Sequence, residues 1–116
     1  MQGSSTDRPF FLEGTALAHR IVTSVLQPGE VAVDATVGNG HDTLFLARQV
    51  GPQGHVYGFD VQEEALARTR RRLEEAGLHE RVTLLRMGHE HMAKAVPAAW
   101  HGRIGAVMFN LGYLPG

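Results

Sequence analysis

Two glycines and three acidic residues carry the chemistry that this sequence offers. They lie in the run Asp34-Ala35-Thr36-Val37-Gly38-Asn39-Gly40-His41-Asp42-Thr43, with Asp60 twenty residues beyond Gly40. Gly38 and Gly40 let the backbone turn sharply and let a ligand approach with no Cβ atom in the way. A carboxylate at Asp60, placed at the end of the next strand, can accept hydrogen bonds from both hydroxyls of a ribose. The pattern therefore reads as a site for a nucleoside with a free ribose diol.

Two nucleoside cofactors compete for such a site. A dinucleotide loop has the form G-x-G-x-x-G, and its third glycine position is Thr43 here. It also seats a diphosphate at a helix N-terminus, where Asp34 and Asp42 would stand beside it. Two carboxylates are unfavourable next to a dianion and favourable next to a cation. S-adenosylmethionine (SAM) carries a sulfonium and an ammonium group, so the spacing D-x-x-x-G-x-G favours SAM over NAD. Asp42 has a second reading, as an acid stabilised at a helix N-terminus by the macrodipole.

The elements that must hold these residues follow from hydrophobic periodicity. Leu12 to Leu26 has helical spacing and stops at Pro28-Gly29. Val31 to Ala35 is an apolar strand that runs into the glycine loop, and Thr43 to Val50 is helical up to Gly51-Pro52. His55 to Phe59 is a second strand ending at Asp60, and Glu63 to Ala76 is a charged helix closed by Gly77. Val82 to Leu85 is a third strand, Glu90 to Ala95 a weaker helix, and Ile104 to Phe109 a fourth strand. Strands alternating with helices imply right-handed crossovers and a parallel sheet. Its strands are buried on both faces, and so they are continuously apolar. The fold class is α/β, an open sheet of Rossmann type. Such sheets bind ligands at the carboxyl ends of their strands, where strand order reverses.

Composition sets the outer bounds. The chain has 116 residues, a net charge of −1, fourteen glycines and no cysteine. These values fit one globular core and exclude a disulfide scaffold and a thiolate metal site. Near-neutral charge argues against a DNA-coating protein. No segment reaches the ~20 apolar residues of a membrane span, and Met1 to Pro9 is polar, without a secretory core. Residues 1–9 are expected to be a flexible tail, 10–116 a cofactor-binding domain, and the cytoplasm the default location.

The fourth strand leads into Asn110-Leu111-Gly112-Tyr113. Enzymes that methylate nitrogen often carry an Asn/Asp-Pro-Pro-aromatic tetrapeptide here. The Asn oxygen and the next carbonyl hold the N–H groups of the amine, and the ring packs on the target. Leu-Gly replaces Pro-Pro in this chain. Together, Asp34 to Thr43 and Phe109-Asn110-Leu111-Gly112-Tyr113-Leu114-Pro115-Gly116 resemble the bacterial tRNA 5-aminomethyl-2-thiouridine methyltransferases, long known as rRNA methylases. The likeness runs from about Leu12 to Gly116.

The resemblance implies a class I SAM-dependent methyltransferase fold, with a tRNA substrate, homodimers, and methylation of the aminomethyl nitrogen on a wobble uridine. By this likeness Gly38, Asn39 and Gly40 line SAM and Asp60 holds the ribose. His89 and Glu90 border the adenine, and Asn110 and Tyr113 are the catalytic pair facing the amine. Asp34, Thr36, His41, Asp42, Thr43, Val61 and Asn110 complete the expected cofactor contacts. Gly88 stands where relatives often place a polar or acidic residue. A whole sheet of this class has more strands than the four read here. The fourth strand should lie mid-sheet, so a longer protein or a second chain is expected to supply the rest.

Weaker signals have bland readings. In the basic run Arg68, Arg70, Arg71 and Arg72, Arg70–Glu74 and Arg71–Glu75 are i,i+4 pairs, as on a solvated helix face. His89 and His91 lack a third metal ligand at a suitable spacing, so no metal is expected. His19 reads as packing or surface, and Trp100 as a core or edge anchor. A protonated alkylamine cannot attack a methyl group, and no residue in the sequence stands out as a base. Two other functions stay open, a nicotinamide-dependent oxidoreductase domain and a non-catalytic nucleoside-binding module.

Overall fold

The computed structural model describes residues 16–97 and 104–108. The tail 1–9, the start of the first helix, Trp100, Phe109, Asn110 and Tyr113 lie outside the described residues. The elements in chain order are α1 (Ala16–Val25), β1 (Val31–Asp34), α2 (His41–Val50), β2 (His55–Asp60) and α3 (Glu63–Ala76). A 3-10 turn at His79–Arg81 leads to β3 (Val82–Arg86). A second turn at His89–His91 leads to α4 (Met92–Ala95), and β4 is Ile104–Met108. Helix α2 starts two residues earlier than the apolar pattern predicts. Gly40, in the left-handed region at φ 88°, turns the chain into the helix.

All strand pairs are parallel and their order is β3-β2-β1-β4. Helices α1, α2 and α3 share one face of the sheet. Ala18, Val22, Leu26, Leu46, Ala47, Val50 and Leu73 pack there on Ala32, Val56 and Met108. The other face, with Val31, Val33, Tyr57 and Phe59, receives Val96 and Ala95 from the α4 side. The chain therefore changes face between β3 and β4, and strand order reverses between β1 and β4. That reversal opens a crevice at the carboxyl ends of these two strands.

Two glycines let the loop between β1 and α2 sit close to its neighbours. A Cβ at Gly58 would meet Val37 Cγ2 at 2.7 Å, so Val37 can settle on β2 only because Gly58 has no side chain. A Cβ at Gly40 would meet Thr69 Oγ1 of α3 at 2.5 Å. Thr69 is fully buried, and its hydroxyl has no hydrogen-bond partner among the described residues. Gly40 is thus constrained twice, by its φ and by α3.

Beneath the loop, Asp34 is 1% exposed at the end of β1. Thr43 Oγ1 donates to its Oδ2 at 2.7 Å and the Thr36 N–H to its Oδ1 at 3.2 Å. Burial drives its pKa up to about 7. Asp42 and Asp60 push it the same way, while the bonds from Thr43 and Thr36 oppose the rise.

Two predictions about stability follow from this packing. Gly40→Ala is expected to cost at least the roughly 1–2 kcal/mol of a left-handed non-glycine residue. Chemical denaturation of Gly40→Ala, Thr69→Ala and the double variant should show the steric part relieved in the double. Additive losses would show that Thr69 is not the obstacle. Asp34 keeps its proton in the folded state up to about pH 7 but loses it near pH 4 when unfolded. The folded state therefore binds more protons in that window, and stability should fall there as pH rises, by at most about 1.4 kcal/mol per pH unit. Asp34→Asn should remove this slope, leaving the variant relatively more stable above pH 7 than below pH 4. Parallel pH–stability curves for the two proteins would contradict the assignment.

Candidate functional site

The loop at the crevice is built from backbone bonds. Ala35 N donates to Met108 O at 2.8 Å, which ties the end of β1 to the end of β4. Val37 N donates to Phe59 O at 2.9 Å and Gly40 N to Val37 O at 2.9 Å, which closes the turn. Leu44 N then reaches back to Gly40 O at 3.0 Å, and α2 begins. Gly38 adopts φ 55° at the tip of the turn.

Asp60 sits across from this tip. Its Oδ2 accepts the Gly38 N–H at 2.9 Å and its Oδ1 accepts the Gln62 N–H at 2.9 Å. A carboxylate oxygen has two lone pairs, so each oxygen can still accept one hydroxyl. Asp60 is half-buried. Val61, next to it, is 63% exposed, and an apolar side chain standing free beside a polar acceptor suits the flat face of a base.

The other expected contacts fall into two layers. Thr36 and Gly38 are partly exposed, and Asn39 and His41 are exposed, so these four form the outer layer of the loop. Asp34, Gly40, Asp42 and Thr43 form the layer beneath and are buried. Asp34 and Thr43 bond to each other, and a ligand would meet them through the loop backbone. Beyond β3, the Glu90 carboxylate lies directly over Gly88, so that a Cβ at Gly88 would run into it. Glu90 is exposed and stands 3.7 Å from His91 Nε2.

Asp42 has a partner that sequence spacing does not show. Its Oδ1 lies 2.7 Å from Nε2 of His19, twenty-three residues earlier on α1. The His19 ring stacks on Phe45, with centroids 3.9 Å apart and planes 6° from parallel. His19 thus packs on Phe45 with its side chain 32% exposed, as expected, and is also tied to the first turn of α2. Asp42, 6% exposed, is joined to α1 as well as lying at a helix N-terminus. Thr69 and Gly58 also shape the loop, and neither carries a motif that marks it.

The carboxylates Asp42 and Asp60 flank a turn whose outer face is glycine and small polar side chains, with Asp34 beneath it carrying its proton up to about pH 7. Such a surface accommodates a ribose and a cationic group, and it disfavours a diphosphate. Among the described residues no helix is long and apolar enough to cross a membrane.

Residues 56–116 match the protein family described as "Putative rRNA methylase". A chloroplastic tRNA (mnm(5)s(2)U34)-methyltransferase of Arabidopsis thaliana is 39% identical over 112 residues, which is 90% of this chain and 40% of that protein. A Clostridium thermocellum protein bearing the family's description superposes with a TM-score of 0.80 at 42% identity, over 91% of this chain and 55% of that one. A Streptococcus mutans protein of the methyltransferase class, solved with S-adenosylhomocysteine (SAH), gives a TM-score of 0.72 at 42% identity, over 86% and 52%. The chain thus spans 40% of the Arabidopsis relative and about half of these two structures. With residues 56–116 matched by its model, this chain belongs to the rRNA methylase family.

Proposed function

We propose that this chain carries the cofactor site of a SAM-dependent RNA methyltransferase whose acceptor is the aminomethyl nitrogen of a modified wobble uridine in tRNA. One observation carries the cofactor reading. The Asp60 carboxylate is fixed to the tip of the glycine loop by the Gly38 N–H while keeping acceptor capacity for a ribose diol. The acceptor reading is supported by the name of the Arabidopsis relative and by the Asn110–Tyr113 tetrapeptide beyond β4.

In this reading Asp60 holds the ribose hydroxyls, and Val61 covers one face of the adenine. Glu90 lies over Gly88 and supplies the acidic group that position lacks. Thr36, Gly38, Asn39 and His41 line the methionine end. Asp42 sits below it and favours its positive charge through the field, and the Asp34–Thr43 bond holds the loop above them. Asn110 and Tyr113 hold the amine. When bound, SAM supplies an electrophilic methyl group. The chain's own contribution is to hold donor and acceptor in line, which removes most of the entropic cost of their meeting.

Calorimetry of the full-length protein with SAH and with NADH tests the cofactor. SAH should bind, and Asp60→Ala should weaken it by about 1–3 kcal/mol through lost hydrogen bonds. Binding of NADH alone would replace this reading with that of an oxidoreductase. The acceptor is tested by methyl transfer to two tRNAs, one with and one without the aminomethyl group on its wobble uridine. Only the first should be labelled. Equal labelling of both would move the target elsewhere in the RNA.

A further inference from the structure

An alkylamine acceptor poses a chemical problem that the cofactor site leaves unsolved. A primary alkylammonium, like that of lysine, has a pKa near ~10, so at neutral pH its nitrogen has no free lone pair. A base must take one proton before the nitrogen can attack. We propose that His19, held by Asp42 and stacked on Phe45 at the crevice, is that base. This role rests on the amine acceptor proposed above.

The position of His19 follows from how α1 is laid on the sheet. At its far end, Leu26 and Glu30 meet the start of β4, where a Cβ at Gly105 would contact both side chains. Helix α1 then runs back along the sheet for ten residues, a span of about 15 Å. Its first turn therefore arrives at the carboxyl ends of β1 and β4, beside the first turn of α2. The 2.7 Å contact with Asp42, two residues past Gly40, confirms that arrival. This is the place where strand order reverses and where Ala35 N meets Met108 O.

The imidazole is oriented as a base requires. A carboxylate only accepts hydrogen bonds, so Nε2 carries the proton toward Asp42 and Nδ1 keeps its lone pair. Among the described residues Nδ1 has no hydrogen-bond partner, and the side chain is 32% exposed. Parallel stacking on Phe45 fixes the ring plane. Other candidates lack this combination. Asp34 is 1% exposed beneath the loop, and the free acceptor sites of Asp60 are assigned to the ribose. His41 is exposed and has no orienting partner among the described residues.

The charged and titratable groups on the elements around His19 are few. Helix α2 brings His41, Asp42 and Arg48, β1 brings Asp34 and α1 itself brings Arg20, whereas residues 104–108 of β4 bring none. In the proposed step the ammonium passes one proton to Nδ1, leaving a neutral amine and an imidazolium. The amine lone pair then forms the N–C bond as the S–C pair returns to sulfur. The product is a secondary ammonium that retains two N–H protons, and His19 releases the third to solvent.

Single-turnover methyl transfer by the full-length protein, measured across about pH 6–9, tests this role. The wild-type rate should rise with pH and level off as one group deprotonates. His19→Gln should lose that limb and fall about 10²-fold or more at neutral pH, with SAH affinity unchanged. Added imidazole should restore activity to His19→Gly. With SAH present, the His19 ring resonances of isotope-labelled protein should shift when an anticodon stem-loop bearing the aminomethyl group is added. A His19→Gln variant with the wild-type rate and profile would overturn the base role alone. So would a rate loss that tracks SAH affinity and resists imidazole, since that marks a structural latch. Wild-type protein that transfers no methyl group to this tRNA would overturn the amine reading, and the base role with it.

Discussion

The carboxyl edge of the sheet is organised around one buried carboxyl group. Asp34 ends β1 under a turn that must be both open above and firm below. Its two oxygens take the Thr36 N–H and the Thr43 hydroxyl, so a single side chain joins the strand, the loop and the first turn of α2. Unpaired, such a group would be expensive to bury. Paired, it ties the strand end to Thr36 and Thr43, on either side of Gly38, whose N–H then meets Asp60.

Charge sets what this edge can hold. Asp34 and Asp42 lie beneath the turn and Asp60 beside it, and among the described residues the nearest basic contact is His19 on Asp42. An excess of negative potential suits a ligand with positive groups and a ribose. It opposes the diphosphate that a similar loop holds in dinucleotide-binding sheets. The difference between the two ligand classes therefore lies less in the glycines, which both share, than in the acids packed around them.

The reversal of strand order links these acids to the first helix. Because β4 lies on the far side of β1 from β2, α1 can lie beside α2 on the face that also packs on β4. Its first turn thus reaches the loop, and His19 meets both Asp42 and Phe45. A helix that precedes the first strand thereby contacts the helix that the glycine loop opens.

The sequence by itself determined the elements and the glycine loop. Apolar runs separated by glycine and proline specify parallel strands and crossover helices, because that signal is local and repeats along each element. Gly38, Gly40 and Asp60 are legible for the same reason, since strand length and helix length set their spacing. Tertiary structure alone decided which face each residue serves. Alternation along β1 turns Asp34 down toward α2, where Thr43 meets it. Gly40 is glycine partly because Thr69, on another helix, occupies the space of its Cβ. The Glu90 carboxylate covers Gly88, and His19 finds Asp42 across twenty-three residues. Each of these contacts depends on where a crossover lands on the sheet, and no periodicity within a segment records that.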